Sequence, residues 1–335
     1  MEIHQIVENE NMSVTQAPER TATGARRTSA RAAAMWPVRL AWAALAVNVA
    51  VVLWGAYVRQ SQSGAGCGSK WPLCNGVVVP HGTWHTLVEF THRASSGVAV
   101  MMVVAVAIAA FVSTPKRNLA RWGAGFAALF MFNEALLGAL LVLLKKVAMD
   151  QSVGRAVYLC THSANTLLLL GALACTAYWL TFPAEAQWAD YRRGPWGPPV
   201  VALLLTLVTA ATGAIAALGD TLFPATSLQQ AWAQDFAANA HYALRLRVFH
   251  PISATLLAVY VLWMLVKFRP GADGLVRRFI FVTLSLLGLQ YALGLADVLL
   301  LAPLWLQLLH LFGADLFWIA LILLVVRTQA RLRAA

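Results

Sequence analysis

Eight long apolar stretches organise the chain, each bounded by charged or turn-forming positions. They lie near residues 37–59, 85–112, 120–144, 156–181, 198–218, 241–267, 276–299 and 303–326. Crossing the hydrocarbon core of a bilayer takes about 20 apolar residues, so each stretch predicts one spanning helix. The run from Ala94 to Val112 carries no charge at all. The pattern predicts an all-α polytopic membrane protein with eight transmembrane helices. Residues 1–35 have no apolar core of a signal sequence. They are rich in Thr, Ala and Arg and carry Glu2, Glu8, Glu10 and Glu19, acids that a mitochondrial transit peptide lacks. They read as a disordered cytoplasmic tail, and 328–335 as a short cytoplasmic C-terminal tail.

Composition and charge refine this. With 60% hydrophobic and only 12% charged residues, the chain lies outside the range of soluble proteins. A net charge of +11 is of the size a nucleic-acid footprint has, but its distribution points elsewhere. An even number of spans puts both termini on one side. With that side cytoplasmic, the inner segments hold 17 Lys and Arg, among them Arg192, Arg193, Arg269 and Arg333, against 8 on the outer side. That is the positive-inside bias. The basic excess is a topology signal, no nucleic-acid partner is expected, and lipid is the surrounding partner. The expected location is the plasma (inner) membrane, multi-pass, with both termini cytoplasmic.

The two halves repeat weakly but in order. His92-x-x-Ser95 matches His250-x-x-Ser253, Glu134-x-x-x-Gly138 matches Gln290-x-x-x-Gly294, and Gly55-Ala56 matches Gly213-Ala214. His92 and His250 are 158 residues apart, His162 and His310 148. The expected architecture is two pseudo-symmetric four-helix bundles, 36–182 and 183–327. Small residues at matching places suit close helix packing in lipid.

Ionisable residues inside spans are costly and mark functional positions. His92, His162, His250 and His310 each fall in the first part of an even-numbered span, towards the outer face. A single such histidine is more often a hydrogen-bonded structural residue; four at recurring places are not. Facing helices of a bundle can aim imidazoles at a shared metal or haem, and no Cys/His spacing of a zinc site is present. The favoured reading is two haem sites, His92 with His162 and His250 with His310. Arg93, Arg245 and Arg247 are placed to pair with haem propionates, or simply to snorkel to the interface. Glu89 shares a helix face with His92 and is either a proton-handling acid or a rim carboxylate paired with Arg93. Glu134, inside the third span, needs a partner, whereas Asp297 can reach water. His81 and His85 read as solvated loop residues. Cys67 and Cys74 lie in an outer loop, where either a disulfide or a cycling thiol pair fits. Cys160 and Cys175 read as packing residues.

Trp71-Pro-Leu-Cys-Asn-Gly76 behind Cys67, then Glu89-x-x-His92-Arg93, then His162 opening the fourth span, resemble the heme A synthase family over roughly 37–326. The resemblance implies an oxidoreductase that converts haem O to haem A by hydroxylating a porphyrin methyl group twice, the diol losing water to leave a formyl group. The product would serve terminal oxidase assembly. It implies haem b as cofactor on His250 and His310, the substrate haem between His92 and His162, Glu89 as the catalytic acid, and Cys67 with Cys74 as the outer-loop cysteine pair. A haem O synthase, a farnesyltransferase, is the implied substrate donor. The chain departs from some members in having no cysteine in the loop from Gly219 to Ala240. A di-haem b cytochrome that only passes electrons from a quinol is the competing reading; it uses the histidines but neither Glu89 nor the cysteines. A transporter built from repeats would require Gly/Pro breaks at mid-membrane, and the spans show none in matching places. The electron donor and the oligomeric state are not encoded in any motif.

Overall fold

A computed structural model describes residues 20–191, 194–267 and 273–331. The eight spans are present as helices: α1 (Arg20–Gln60), α2 (Trp84–Ser113), α3 (Leu119–Leu143), α4 (Val153–Thr181), α5 (Gly197–Leu222), α6 (Tyr242–Lys267), α7 (Gly274–Leu299) and α8 (Leu304–Arg331). All eight are long and apolar enough to cross a membrane, α1 over Met35–Gln60. The chain is an all-α, multi-pass membrane protein. Observed ends fall within a few residues of the apolar runs, except at the start of α1 and α4 and at the ends of α5 and α8. Polar caps set several of the starts: Asn118, Ser152 and Asp273 each accept a backbone N–H of the first turn.

Two compact units are distinguished, 1–36 and 37–335. Of the tail expected to be disordered over 1–35, residues 1–19 lie outside the described residues. Helical backbone begins at Arg20, not at 36. The Ala- and Arg-rich composition that lacks an apolar core still has high helix propensity, which is what the expectation of disorder overlooked. The C-terminal tail expected at 328 is likewise helical to Arg331, and 332–335 lie outside the described residues. So do Arg192, Arg193, Arg269 and Arg333, on which the charge sorting drew.

Within the second unit, α4 is central: it packs on α3, α5 and α8. The main apolar core joins Leu167, Leu170 and Leu173 of α4 to Trp318, Ile322 and Val326 of α8. Gly171 makes the approach possible, because a Cβ there would lie 3.2 Å from Trp318 Nε1. That indole donates to the Leu167 carbonyl at 2.5 Å. The first and second sets of four helices therefore meet along α4. Helices α5 and α7 are the least enclosed, and their apolar side chains, such as Leu204, Phe281 and Leu295, are exposed as lipid-facing positions are.

At the end away from the Cys67–Cys74 loop, Arg327 of α8 is nearly buried. It pairs with Glu185, in the short turn Pro183–Glu185, and with Asp273 at 2.5 Å. Tyr178 donates to the same Glu185. The Val276 N–H, and then Arg327, hold the Asp273 carboxyl below the usual carboxylate range. A depressed carboxylate stabilises the fold above its unfolded value of about 4 and stops doing so as pH falls through the folded value. We expect Arg327→Met to cost roughly 2 kcal/mol. That is less than for a fully buried pair, because Asp273 is 33% exposed. Thermal unfolding in detergent at pH 7 would show it, and the difference from the parent should shrink below about pH 4. An unchanged unfolding midpoint at pH 7 would contradict this account of how α8 is anchored.

Candidate functional site

The first turns of α2 are built around a buried carboxylate. Glu89 is 3% exposed. Its Oε1 receives the Arg93 guanidinium at 2.6 Å and 3.2 Å, and its Oε2 accepts the backbone N–H of Cys67 at 2.8 Å. Arg93 also donates to the carbonyls of Lys70 and Leu73 at 2.7 Å and 2.9 Å. The i, i+4 spacing of Glu89 and Arg93 lets both reach one loop. That loop is closed by a disulfide between Cys67 and Cys74, both buried. Thr86 donates to the Gly66 carbonyl at 3.0 Å, and a Cβ at Gly66 would lie 2.4 Å from the His85 carbonyl oxygen. Only glycine allows so close a backbone approach. Of the two histidines read as loop residues, His81 is exposed. His85 is exposed but belongs to α2, with its Nδ1 2.9 Å from Ser63 Oγ.

One turn after Glu89, the His92 imidazole lies over Gly55 of α1: a Cβ there would sit 3.0 Å from its Cε1. Its Nδ1 is buried without a hydrogen-bond partner. Across the bundle, His162 Nδ1 lies 3.3 Å from Glu134 Oε1, at ion-pair distance but without the alignment of a hydrogen bond. Glu134 is in turn held by α4. Asn165 donates to Oε2 at 2.6 Å and Thr166 to Oε1 at 2.5 Å. His92, His162 and Glu134 interact electrostatically. Glu134 thus has the partners that its place in a span demanded.

In the second set of helices, His250 and His310 have ring centres 6.1 Å apart with planes at 88°. Metal–nitrogen bonds of about 2 Å on either side of one ion put opposed imidazole centres roughly 6 Å apart. The spacing is compatible with two rings sharing one metal. His250 Nδ1 is 3.1 Å from the Thr209 carbonyl. A carbonyl can only accept, so the ring proton sits on Nδ1 and the Nε2 lone pair is left for a ligand, the usual arrangement behind a metal-binding histidine. Thr212 bonds to Ser253 at 2.9 Å behind the ring. Gly213 lies under His250 and Gly294 under His310, with Cβ positions 3.0 Å and 3.3 Å from the ring carbons. The Gln290 amide, with its nitrogen towards α8, lies 3.1 Å from the His310 carbonyl and 3.3 Å from its Nδ1.

The glycines expected to serve helix packing thus make room for imidazoles at Gly55, Gly213 and Gly294, whereas a Cβ at Gly138 would meet nothing. Arg247 is bound by Asp220 at 2.8 Å and Asp235 at 2.5 Å, and Arg245 donates to the Ala238 carbonyl. Arg93 and Arg247 are therefore largely engaged by the protein itself. Cys160 and Cys175 are free thiols, partly buried between helices. Among the described residues, no three His, Cys, Asp or Glu groups converge as a metal site. Sequence reading missed Thr209, Asn165 and Thr166. The last two stand one helical turn after His162, a spacing that could have flagged them.

A family model described as "Cytochrome oxidase assembly protein" matches residues 38–86 and 82–322. A protein of Thermus thermophilus named protoheme IX farnesyltransferase is 41% identical over 296 residues, which are 87% of this chain and 48% of that protein. The chain thus spans about half the length of that relative. A heme A synthase of Exiguobacterium is 26% identical over 268 residues, 78% of this chain and 83% of that protein. One from Symbiobacterium thermophilum is 48% identical over 63 residues, 19% and 21% of the two chains. With the family match running through all eight spans, the chain belongs to the heme A synthase family of cytochrome oxidase assembly proteins.

Proposed function

We propose that this protein oxidises a methyl group of haem O to the formyl group of haem A, for use in terminal oxidase assembly. The observation that carries the reading is the His250–His310 pair, 6.1 Å apart, in a member of this family. In this reading His250 and His310 hold a haem b cofactor and His92 and His162 flank the substrate haem. The two sites lie in duplicated four-helix halves, 36–182 and 183–327. Bound iron supplies the oxidising chemistry, while the protein orients the porphyrin and excludes water.

The residues divide the work as follows. Thr209 keeps the proton on His250 Nδ1 and so leaves its Nε2 lone pair as the donor that would hold the iron. Gly55 and Gly213 leave the space that the His92 and His250 rings occupy. Glu89 holds or releases a proton beside the substrate, and the Cys67–Cys74 bridge positions the backbone N–H that Glu89 accepts. Arg245, which is exposed, has donors to offer a propionate; Arg93 and Arg247 shape the rim through their protein partners. The haem sites would face the outer side of the plasma membrane, with both termini in the cytoplasm. The Thermus relative is named for haem farnesylation, which supports a haem O-forming farnesyltransferase as the substrate donor.

Pigment extraction from the purified protein tests the reading. Haem O or haem A should accompany haem b; haem b alone would instead favour the di-haem cytochrome. His250→Ala or His310→Ala should abolish the low-spin b-type spectrum. Gly213→Leu should weaken it at least tenfold in haem occupancy, because its side chain enters the space of the His250 ring. Glu89→Ala should reduce haem A formation by at least the 10²-fold typical of a lost acid–base group while haem b stays bound. A normal haem A yield in that variant would remove Glu89 from the chemistry.

A further inference from the structure

The two histidine pairs differ in what stands behind one ring of each. Glu134 of α3 and Gln290 of α7 occupy matching places in the two halves, each on the helix before the histidine it approaches. Each has a side-chain atom 3.3 Å from Nδ1, of His162 and of His310 respectively. In shape the two contacts are alike; in charge they are not. The residues that follow differ to match. One turn beyond His162 stand Asn165 and Thr166, which bind both oxygens of Glu134. At the same offsets beyond His310 stand Gly313 and Ala314, which have no side-chain donor. The first half is built to hold a carboxylate behind its histidine, and the second is built for a neutral amide.

We infer that Glu134 is a positioning residue that lowers the reduction potential of the iron held at His162, and that Gln290 is its uncharged counterpart, leaving the iron at His310 at a higher potential. This rests on the haem sites proposed above. A carboxylate can only accept, so it keeps the imidazole proton on Nδ1 and leaves Nε2 as the donor to metal. It also makes that nitrogen a stronger donor. Its negative charge sits in a low-dielectric span, where it favours the more positive, oxidised iron. An amide brings no net charge, and with its nitrogen turned to the ring it offers no acceptor to Nδ1, so it does neither. Axial-ligand hydrogen bonding is one of the levers by which a protein sets haem potentials. Neither effect requires Glu134 to change protonation state. The arrangement gives two sites of the same ligand type distinct electronic characters, as a substrate site and an electron-carrying site require.

The test is a redox titration of purified, haem-loaded protein, followed by absorption and electron paramagnetic resonance. Glu134→Gln, made in a His250→Ala background so that one haem remains, should move the midpoint of that haem upward and alter its low-spin g values. Gln290→Glu in the otherwise intact chain should move the second haem's midpoint downward. A carboxylate that merely braces α3 against α4 would produce neither shift. If Glu134→Gln retains haem at an unchanged midpoint, the inference is overturned while the two-haem reading stands. If Glu134→Gln loses its haem, the Gln290→Glu arm decides, and an unmoved midpoint there overturns the inference. If the parent protein, supplied with haem O, holds no haem that His162→Ala removes, the functional reading fails and the inference falls with it.

Discussion

An imidazole buried among apolar helices has two nitrogens, and each must find a partner or incur a desolvation cost of about 1–3 kcal/mol. That constraint organises this protein. At three of the four histidines the structure supplies a group for Nδ1 only: the Thr209 carbonyl for His250, the Glu134 carboxylate for His162 and the Gln290 amide for His310. At His92 that nitrogen is left bare, and at His162 it faces the carboxylate without an aligned hydrogen bond. The rings are half-buried, and in the proposed reading their other nitrogens are the ones that meet haem iron. The glycines follow from the same need, since any larger residue at 55 or 213 would occupy the ring's own volume.

The surrounding packing keeps these rings in register. Helix α4 carries His162 and is the helix against which α3, α5 and α8 all lie. Helix α8 carries His310 and is anchored twice. Trp318 seats over Gly171 at mid-helix, and Arg327 bridges Glu185 and Asp273 at the end. The more peripheral α5 and α7 contribute the small or polar residues that touch the rings, Gly213, Thr209, Gln290 and Gly294. In the second set of helices, α6 and α8 bear the histidines and the less enclosed α5 and α7 line them. At the disulfide end, Glu89 and Arg93 join α2 to the loop closed by Cys67 and Cys74. Charge, backbone and covalent bridge are there combined into one unit beside His92.

Much of this was legible in the chain itself. Apolar run length placed all eight spans, because a bilayer leaves no alternative to a continuous helix. The places of His92, His162, His250 and His310 followed from their recurrence in even-numbered spans. Glu89 and Arg93 were readable as a pair from their spacing of four. Helical backbone from Arg20 extends into the region read as a tail, where helix propensity is high without an apolar run. Arg93 and Arg247, read as propionate partners or as residues that snorkel, also find partners within the protein, the Lys70 and Leu73 carbonyls and the Asp220 and Asp235 carboxylates. These contacts join positions 15 or more residues apart in sequence, apart from Asp235.

Sequence by itself determined the number of helices, their approximate ends, the membrane class and which side chains were too polar to be idle. These are properties of one segment measured against a fixed solvent thickness. Only the tertiary structure decided that the Thr209 carbonyl meets Nδ1 of His250, that glycine on a neighbouring helix lies under three of the rings, and that Glu134 and Gln290 come within 3.3 Å of Nδ1 of His162 and His310. Those facts depend on the rotation of each helix about its axis. Rotation is set by how knobs, gaps and hydrogen bonds fit between neighbours, and an apolar run that would serve equally well in any orientation does not record it.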